Sequence, residues 1–150
     1  MAQLAQSTIR SQLIALQDSI MILPNVAVAE VVPYSESENI ANKPDWYLGD
    51  ISWRGRVIPL ISFEAMCGKS RPQIVKTSRV AVINAVGGHC DVGFYAMLVN
   101  GIPRLIQATE QNFSGESCKE TGVLSNVQIE GVKAIIPDLD FIEKTLCKSL

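Results

Sequence analysis

Short apolar runs separated by turn residues recur along the whole chain and predict many short strands. The first two runs, RSQLIALQ (10–17) and IMIL (20–23), flank a short polar turn, which is typical of an antiparallel hairpin. The β-branched residues of 28–34 predict a further strand, because Pro33 excludes a continuing helix. The polar segment 35–44 then predicts a surface loop of the kind that often carries recognition.

The hairpin of residues 47–63 is the most informative stretch of the chain. Its two apolar runs flank a tight Arg54-Gly55-Arg56 turn, with glycine at the point where the chain reverses. Directly after it, SFEAMCG (62–68) predicts a short helix that a serine caps and a glycine ends. The basic, proline-broken segment 69–77 predicts a loop and a boundary between two subdomains.

The second half of the chain repeats this pattern of strands and turns. RVAVINAV (79–86) and HCDVGFYAMLVNG (89–101) predict a hairpin that turns at Gly87-Gly88. Further elements follow: a turn at Asn100-Gly101, a strand at 102–109, a polar loop at 111–119, and a hairpin over 121–137 that turns at Glu130-Gly131.

Only the last segment, PDLDFIEKTLCKSL (137–150), has the spacing of a convincing helix. Asp138 is a capping residue, and Leu139, Ile142 and Leu146 recur at i, i+3 and i+7 as an apolar stripe. Nine or ten short strands with frequent turns therefore predict a mainly β protein built from small antiparallel barrels rather than an α/β sheet.

Composition adds limits on the function. Of the 150 residues, 47% are hydrophobic and 19% are charged, against a usual charged fraction of about 25%, so we expect a folded, core-rich chain. The net charge of −2 gives no reason to expect nucleic acid or an anionic membrane as a partner. The sequence shows neither an apolar run of about 20 residues nor a secretory leader, and we expect a cytoplasmic protein without membrane insertion.

The residue types that usually carry catalysis do not form catalytic patterns. His89 is expected to be exposed in a hairpin, and it does not pair with Cys90 because adjacent strand residues point to opposite faces. The glycines form neither a dinucleotide-binding nor a phosphate-binding loop. The cysteines are widely spaced and form no CxxC pair, which predicts four free, mostly buried thiols: Cys67, Cys90, Cys118 and Cys147. We predict no catalytic residue, no metal site and no cofactor.

Arg54 is the best candidate for a binding residue. Its guanidinium carries five fixed donors and a permanent charge, which suits holding carbonyl groups or a carboxylate at a corner. Gly55 beside it permits a positive φ or a close backbone approach. Both a plain turn arginine and a partner-holding arginine fit the sequence. The aromatic residues near this hairpin fit either a core or an interface: Trp46, Tyr47 and Trp53.

Six blocks of sequence can be compared with known families. They are PNVAVAEVV (24–32), the approach Pro44-x-Trp46-x-Leu48-Gly49, ISWRGRVIPL (51–60), RVAVINAV (79–86), LVNGIPRLI (98–106) and AIIPDLDFIE (134–143). In this order and at this spacing, from about residue 9 to residue 146, they resemble a CheW-like chemotaxis coupling protein. Trp53 and the SFEA sequence after the hairpin look most like the variant associated with twitching-motility (type IV pilus) chemosensory clusters, often called ChpC.

This resemblance implies a fold and a function. The fold would be two five-stranded SH3-like barrels packed together, with a short helix after the hairpin and a C-terminal helix. The chain would be one CheW-like domain over 1–150, with about 8–62 and 138–150 in one subdomain and about 63–137 in the other. It would be a non-catalytic adaptor that joins the cytoplasmic tip of a methyl-accepting chemoreceptor to the regulatory domain of a chemotaxis histidine kinase.

The resemblance also implies a set of partner-binding residues. The functional arginine corner of the family falls on Arg54-Gly55, and its glycine before the hairpin falls on Gly49. Its receptor-facing valine and glutamate fall on Val28 and Glu30. At Trp53 and at Asn100 the chain departs from the family, which commonly has Asn-Leu before Arg-Gly and an acidic residue before the second-barrel glycine. Both departures lie at candidate contact surfaces and bear on the particular partner.

A second hypothesis, from a different class, stays open on the sequence alone. The chain could be a small-molecule-binding or thiol-based catalytic β-barrel that uses a pocket between its subdomains and a thiol such as Cys90. That function requires a cysteine with a depressed pKa beside a base.

Overall fold

The computed structural model describes residues 8–37, 40–85, 87–109 and 111–150, which contain ten strands and two α-helices. The strands are β1 (Ile9–Ala15), β2 (Ile20–Pro24), β3 (Val28–Pro33), β4 (Tyr47–Trp53), β5 (Arg56–Ile61), β6 (Ser78–Asn84), β7 (Phe94–Ala108), β8 (Phe113–Ser117), β9 (Val123–Ile129) and β10 (Val132–Pro137). The α-helices are α1 (Phe63–Met66) and α2 (Leu139–Cys147), and Asn25–Ala27 form one turn of 3-10 helix. The predicted mainly β architecture with two helices is confirmed.

All ten strands belong to one sheet, which β7 divides into two groups. The first part of β7 pairs antiparallel with β6 and parallel with β5, while β3 lies beyond β6 and β4 beyond β5. The second part of β7 pairs with β1, and β2, β10, β9 and β8 follow in that order. One long strand is therefore shared by both groups.

The predicted subdomain boundary at about residue 62 stays a prediction, because strand pairing alone does not assign structural units. The pairings nevertheless group the strands differently from that boundary. In the described part of the chain, β1 pairs with the second part of β7 and β2 pairs with β10, so strands on both sides of the predicted boundary share one group. In the other group, β5 pairs with β4 and with the first part of β7, which also pairs with β6.

The predicted turn at Asn100-Gly101 is wrong, because β7 continues through it. The ladder with β6 ends at Asn100, which also pairs with Ala15 of β1. Gly101 has a φ of +72°, which glycine adopts readily, and its N–H donates to the carbonyl of Thr77 at 2.7 Å. The glycine therefore lies within the strand, where the chain passes from one strand group to the other.

Two other local predictions are corrected. Residues 113–117 were expected in a polar loop but form β8, an end strand of the sheet whose side chains are mostly exposed, so no alternating apolar pattern reveals it. The strand expected to begin at residue 89 begins only at Phe94. Residues 87–93 form a longer loop between β6 and β7 in place of the expected tight turn, and its residues Gly87 and Cys90 make contacts with α2.

The helix predictions are confirmed by their caps. The Oγ of Ser62 accepts a hydrogen bond from the N–H of Ala65 at 3.1 Å, and Asp138 Oδ1 accepts one from the N–H of Phe141 at 3.1 Å. Helix α2 buries its apolar stripe, with Ile142 at 0% exposure, in the largest core cluster. Each such fully buried side chain contributes about 1.5–3 kcal/mol to folding.

The prediction of four free thiols is wrong for two of the cysteines. Cys90, in the loop before β7, forms a disulfide with Cys147, the last residue of α2, although 57 residues separate them in sequence. Cys67 and Cys118 are free and half-buried. Spacing along the chain could not reveal the pairing, because only the tertiary fold brings these two distant residues together.

Glu64 on α1 is an almost buried carboxylate, 7% exposed, that joins α1 to the β1–β2 turn. Its Oε2 accepts a hydrogen bond from the N–H of Gln17 at 3.2 Å. Burial raises the pKa of Glu64 above the ordinary 4.5, and the charge of Asp18 adds to this, while the Gln17 hydrogen bond and Lys69 oppose it.

We expect the variant Glu64→Gln to lose part of the pH dependence of stability. Because native Glu64 keeps its proton to a higher pH than the unfolded chain, its stabilisation is complete below pH 4.5 and is lost as pH rises through the raised pKa. Glutamine keeps an oxygen for Gln17 and carries no charge, so the variant should be more stable than wild type at neutral pH. Urea unfolding across this pH range checks it, with the exposed Glu116→Gln as control; a variant as pH-dependent as wild type would contradict it.

Candidate partner-binding corner

The turn between β4 and β5 is a tight hairpin corner made by two residues. Arg54 and Gly55 both have positive φ values, +49° and +75°, which is the pattern of a type I′ turn. A positive φ is uncommon for a residue with a Cβ, so Arg54 is held in an unusual conformation by the hairpin around it. The corner therefore presents the Arg54 side chain at the end of two well-paired strands, and it confirms the predicted position of the turn.

Glu30 on β3 joins this corner to the neighbouring strand. Its Oε1 accepts a hydrogen bond from Trp53 Nε1 at 2.8 Å and another from Arg54 Nε at 3.2 Å. The structure thus brings together three of the residues predicted to bind a partner, although Glu30 and Arg54 lie 24 residues apart in sequence.

The Glu30–Arg54 ion pair is too exposed to be important for stability. The side chains are 37% and 68% exposed, and such surface pairs contribute about 0–1 kcal/mol. Because 68% of the Arg54 side chain is exposed, its guanidinium can contact another molecule while it keeps its bond to Glu30.

Aromatic rings form the floor beneath the corner. The rings of Trp53 and Phe94 lie with centroids 4.9 Å apart. The Arg54 guanidinium carbon is 5.2 Å from the Trp53 ring centroid, and that of Arg56 is 5.1 Å from the Phe94 ring centroid. Two cations therefore lie over two packed rings, an arrangement typical of a recognition surface with an apolar base. We refer to Glu30, Trp53, Arg54, Gly55, Arg56 and Phe94 as the arginine corner.

Sequence reasoning missed two members of the arginine corner. Arg56 directly follows the turn glycine, so its place was visible although its role was not. The sequence pattern places Phe94 within a longer strand, and only the pairing of β7 with β5 and β6 brings its ring against Trp53.

The other predicted site residues lie elsewhere. Val28 begins β3, two residues before Glu30, and packs half-buried against the main core. Gly49 is buried in β4 with a φ of +138°, at an irregularity in the pairing with β5. Asn100 lines a cavity of about 270 Å³ and its Oδ1 accepts from Thr77 Oγ1 at 2.5 Å. Gly49 pairs with Leu60, and Asn100 pairs with Ser78 and Ala15, so in the described strands neither residue is paired with a residue of the arginine corner.

The described side chains do not favour the thiol-based alternative. Cys90 is bonded to Cys147, and burial raises the pKa of the free Cys67 thiol to about 11, the opposite of what a nucleophile requires. Burial also raises the pKa values of Tyr47 and Tyr95. The described residues include no cluster of three or more metal-ligating side chains, and none of their helices is long and apolar enough to cross a membrane.

A β-rich domain with an exposed cationic corner over packed aromatic rings has the features of a binding or scaffold domain. Within that class, the chain matches the family model described as CheW-like domain over residues 11–144, and it therefore belongs to the CheW-like family. It is also similar in fold to the crystal structure of scaffolding protein TtCheW from Thermoanaerobacter tengcongensis. That match has a TM-score of 0.80 and 20% identity over 96% of this chain and 98% of that chain. No curated protein matches the chain significantly.

These comparisons confirm three of the sequence predictions. The resemblance to CheW-like proteins, the fold of two SH3-like barrels and the non-catalytic scaffold class are all borne out.

Proposed function

We propose that the protein is a cytoplasmic adaptor that couples a methyl-accepting chemoreceptor to a chemotaxis-type histidine kinase. The single observation that supports it most is the arginine corner, in which Glu30 contacts both Trp53 and Arg54, within a CheW-like domain that spans residues 11–144. The scaffolding protein TtCheW shares the fold across almost the whole chain.

The arginine corner suits binding to the surface of a larger protein. An arginine that adds little to stability, fixed over an apolar floor, is the usual composition of an interface hot spot. Val57 beside it on β5 is 70% exposed and extends the apolar surface. Arg54 would hold carboxylates or carbonyl groups of the partner while the rings exclude water.

The remaining predicted residues take their roles in this proposal from the family. Val28 and Glu30 on β3 face the receptor, and Gly49 allows the irregular approach of β4 to the hairpin. Trp53 and Asn100, where the chain departs from the family, select the particular partners. The proposal includes the ChpC-type assignment, in which the pathway controls twitching motility.

The direct test is a binding titration with two purified partners from the same genome. These are the regulatory domain of the kinase and a receptor cytoplasmic fragment that contains the tip. We expect saturable binding to each and a ternary complex when all three are mixed, measured by calorimetry and size-exclusion chromatography. Kinase and receptor fragments from an unrelated chemosensory cluster serve as controls. Failure to bind either partner from any cluster of that genome would overturn the proposal.

A further inference from the structure

Three contacts fasten the loop of residues 87–93 to helix α2. Cys90 is bonded to Cys147, His89 Nε2 lies 2.5 Å from Asp140 Oδ1, and the N–H of Gly87 donates to Glu143 Oε1 at 2.7 Å. The helix residues 140, 143 and 147 are spaced at i, i+3 and i+7, so all three contacts lie along one side of α2. We refer to this set of contacts as the latch.

Of the three contacts, only the disulfide is covalent. The His89 and Asp140 side chains are 23% and 57% exposed, and an exposed pair of this kind is screened by water and salt. Glu143 is 4% exposed, and its Oε2 has no hydrogen-bond partner in the described structure, nor has the buried hydroxyl of Tyr95 nearby. The hydrogen bond to Gly87 therefore compensates only part of the cost of burying this carboxyl group. The covalent bond is therefore the contact whose loss should free the loop most.

The latch lies next to the arginine corner in the chain. Gly93 ends the loop, and its carbonyl accepts a hydrogen bond from the N–H of Ala85 at 2.9 Å. The next residue, Phe94, packs on Trp53 and lies beneath Arg56. Freeing the loop would loosen the segment that leads directly into the aromatic floor.

We propose that Cys90 and Cys147 form a reversible redox site whose state controls how firmly the arginine corner is held. This inference rests on the proposed function, because a cytoplasmic disulfide is exposed to thiols that break it and is usually a sensing or transient bond. Both cysteines are partly exposed, so a small thiol can reach the bond. The closed latch is then the oxidised form and the mobile loop the reduced form.

The chemistry is thiol–disulfide exchange with glutathione-type thiols. A glutathione thiolate attacks one sulfur of the bond, releases the other as a thiolate and forms a mixed disulfide. A second glutathione thiolate then attacks the glutathione sulfur of this intermediate and releases the second protein thiolate. In total, one protein disulfide and two glutathione thiols become one protein dithiol and one oxidised glutathione. The reverse reaction with oxidised glutathione closes the latch. Cys67 competes little in this exchange, because burial raises the pKa of its thiol to about 11 and only a small fraction of it is thiolate at neutral pH.

The experiment equilibrates the full chain in buffers of reduced and oxidised glutathione and counts free thiols by alkylation and mass spectrometry. Hydrogen exchange of residues 87–97 and binding to the kinase domain and receptor fragment are measured in the same samples. On reduction we expect at least about tenfold faster exchange in the loop and about three- to tenfold weaker binding. Cys90→Ser and Cys147→Ser should behave like reduced wild type, whereas Cys118→Ser, at a free cysteine, should still switch.

The outcomes separate this inference from the proposed function. A bond that survives reduced glutathione in the folded protein, or a reduction that changes neither loop exchange nor affinity, overturns the redox site. Faster loop exchange with unchanged affinity also overturns it, since the corner would then be independent of the latch. If no partner binds in either state, the adaptor proposal fails; the latch is then judged by loop exchange alone, and unchanged exchange refutes it.

Discussion

The variant Arg54→Glu should bind the kinase domain or the receptor fragment at least about 30-fold more weakly than wild type, which corresponds to about 2 kcal/mol, the level of an interface hot spot. The substitution removes the guanidinium donors and places a second carboxylate beside Glu30, which now accepts from Arg54 at 3.2 Å. The fold should be retained, because the Arg54 side chain is 68% exposed and such an ion pair contributes about 0–1 kcal/mol.

Calorimetric titration measures the loss of binding, and far-UV circular dichroism with urea unfolding measures the fold. Arg104→Glu is a matched control, because Arg104 is also an exposed arginine, 59% exposed, paired with a glutamate, Glu130, at 3.7 Å, in the other strand group. It should leave affinity near that of wild type. Undiminished binding by folded Arg54→Glu, or an equal loss in both variants, would refute the role of the arginine corner.

The variant Gly122→Ala should lose about 2–4 kcal/mol of unfolding free energy, because overpacking and a disfavoured backbone conformation add up. Gly122 precedes β9, is buried, and has a φ of +81°. A Cβ there would lie 2.6 Å from Cys67 Sγ and 3.1 Å from the ring of Phe141. The Gly122 carbonyl also accepts the N–H of Asp138, the cap of α2, at 2.8 Å, so a shift would be passed to that helix.

The variant Gly131→Ala separates the cost of the backbone conformation from the cost of overpacking. Gly131 has nearly the same φ, +80°, but a Cβ there meets nothing within 4 Å. This variant should lose only about 1 kcal/mol of unfolding free energy, the cost of the backbone conformation alone. Urea unfolding of both variants gives the difference; equal losses would show that the contacts with Cys67 and Phe141 relax freely and that sterics do not limit this position.

Local patterns predicted the parts of this fold that depend on neighbouring residues. The Arg54-Gly55 turn, the Ser62 cap and helix α2 with its Asp138 cap all follow from residues within a few positions of one another. The errors concern long-range partners. No local pattern indicates β8, because its side chains are mostly exposed. Nor does one indicate that β7 continues through Gly101, because its two ladders are made with different strands, β6 and β1.

The candidate site likewise has a part that local sequence indicates and a part that depends on long-range contacts. The chemistry of its side chain and its place in the turn single out Arg54, Glu30 follows only from the resemblance to a family, and only the fold brings the two side chains into contact. The floor residue Phe94 and the disulfide between Cys90 and Cys147 were missed, since each depends on two segments meeting across the fold. Residue type could suggest a binding corner, but it could not show what supports the corner.

The shared strand β7 has a consequence for how the protein is made. Ile9 at the start of β1 pairs with Ala108 at the end of β7, so the N-terminal strand lacks its partner on that side until about one hundred further residues have left the ribosome. At ordinary elongation rates this takes about 5–20 s, during which β1 and β2 can form only their own hairpin. The apolar edge of this hairpin is then open to other nascent chains, which makes early synthesis the stage most exposed to aggregation.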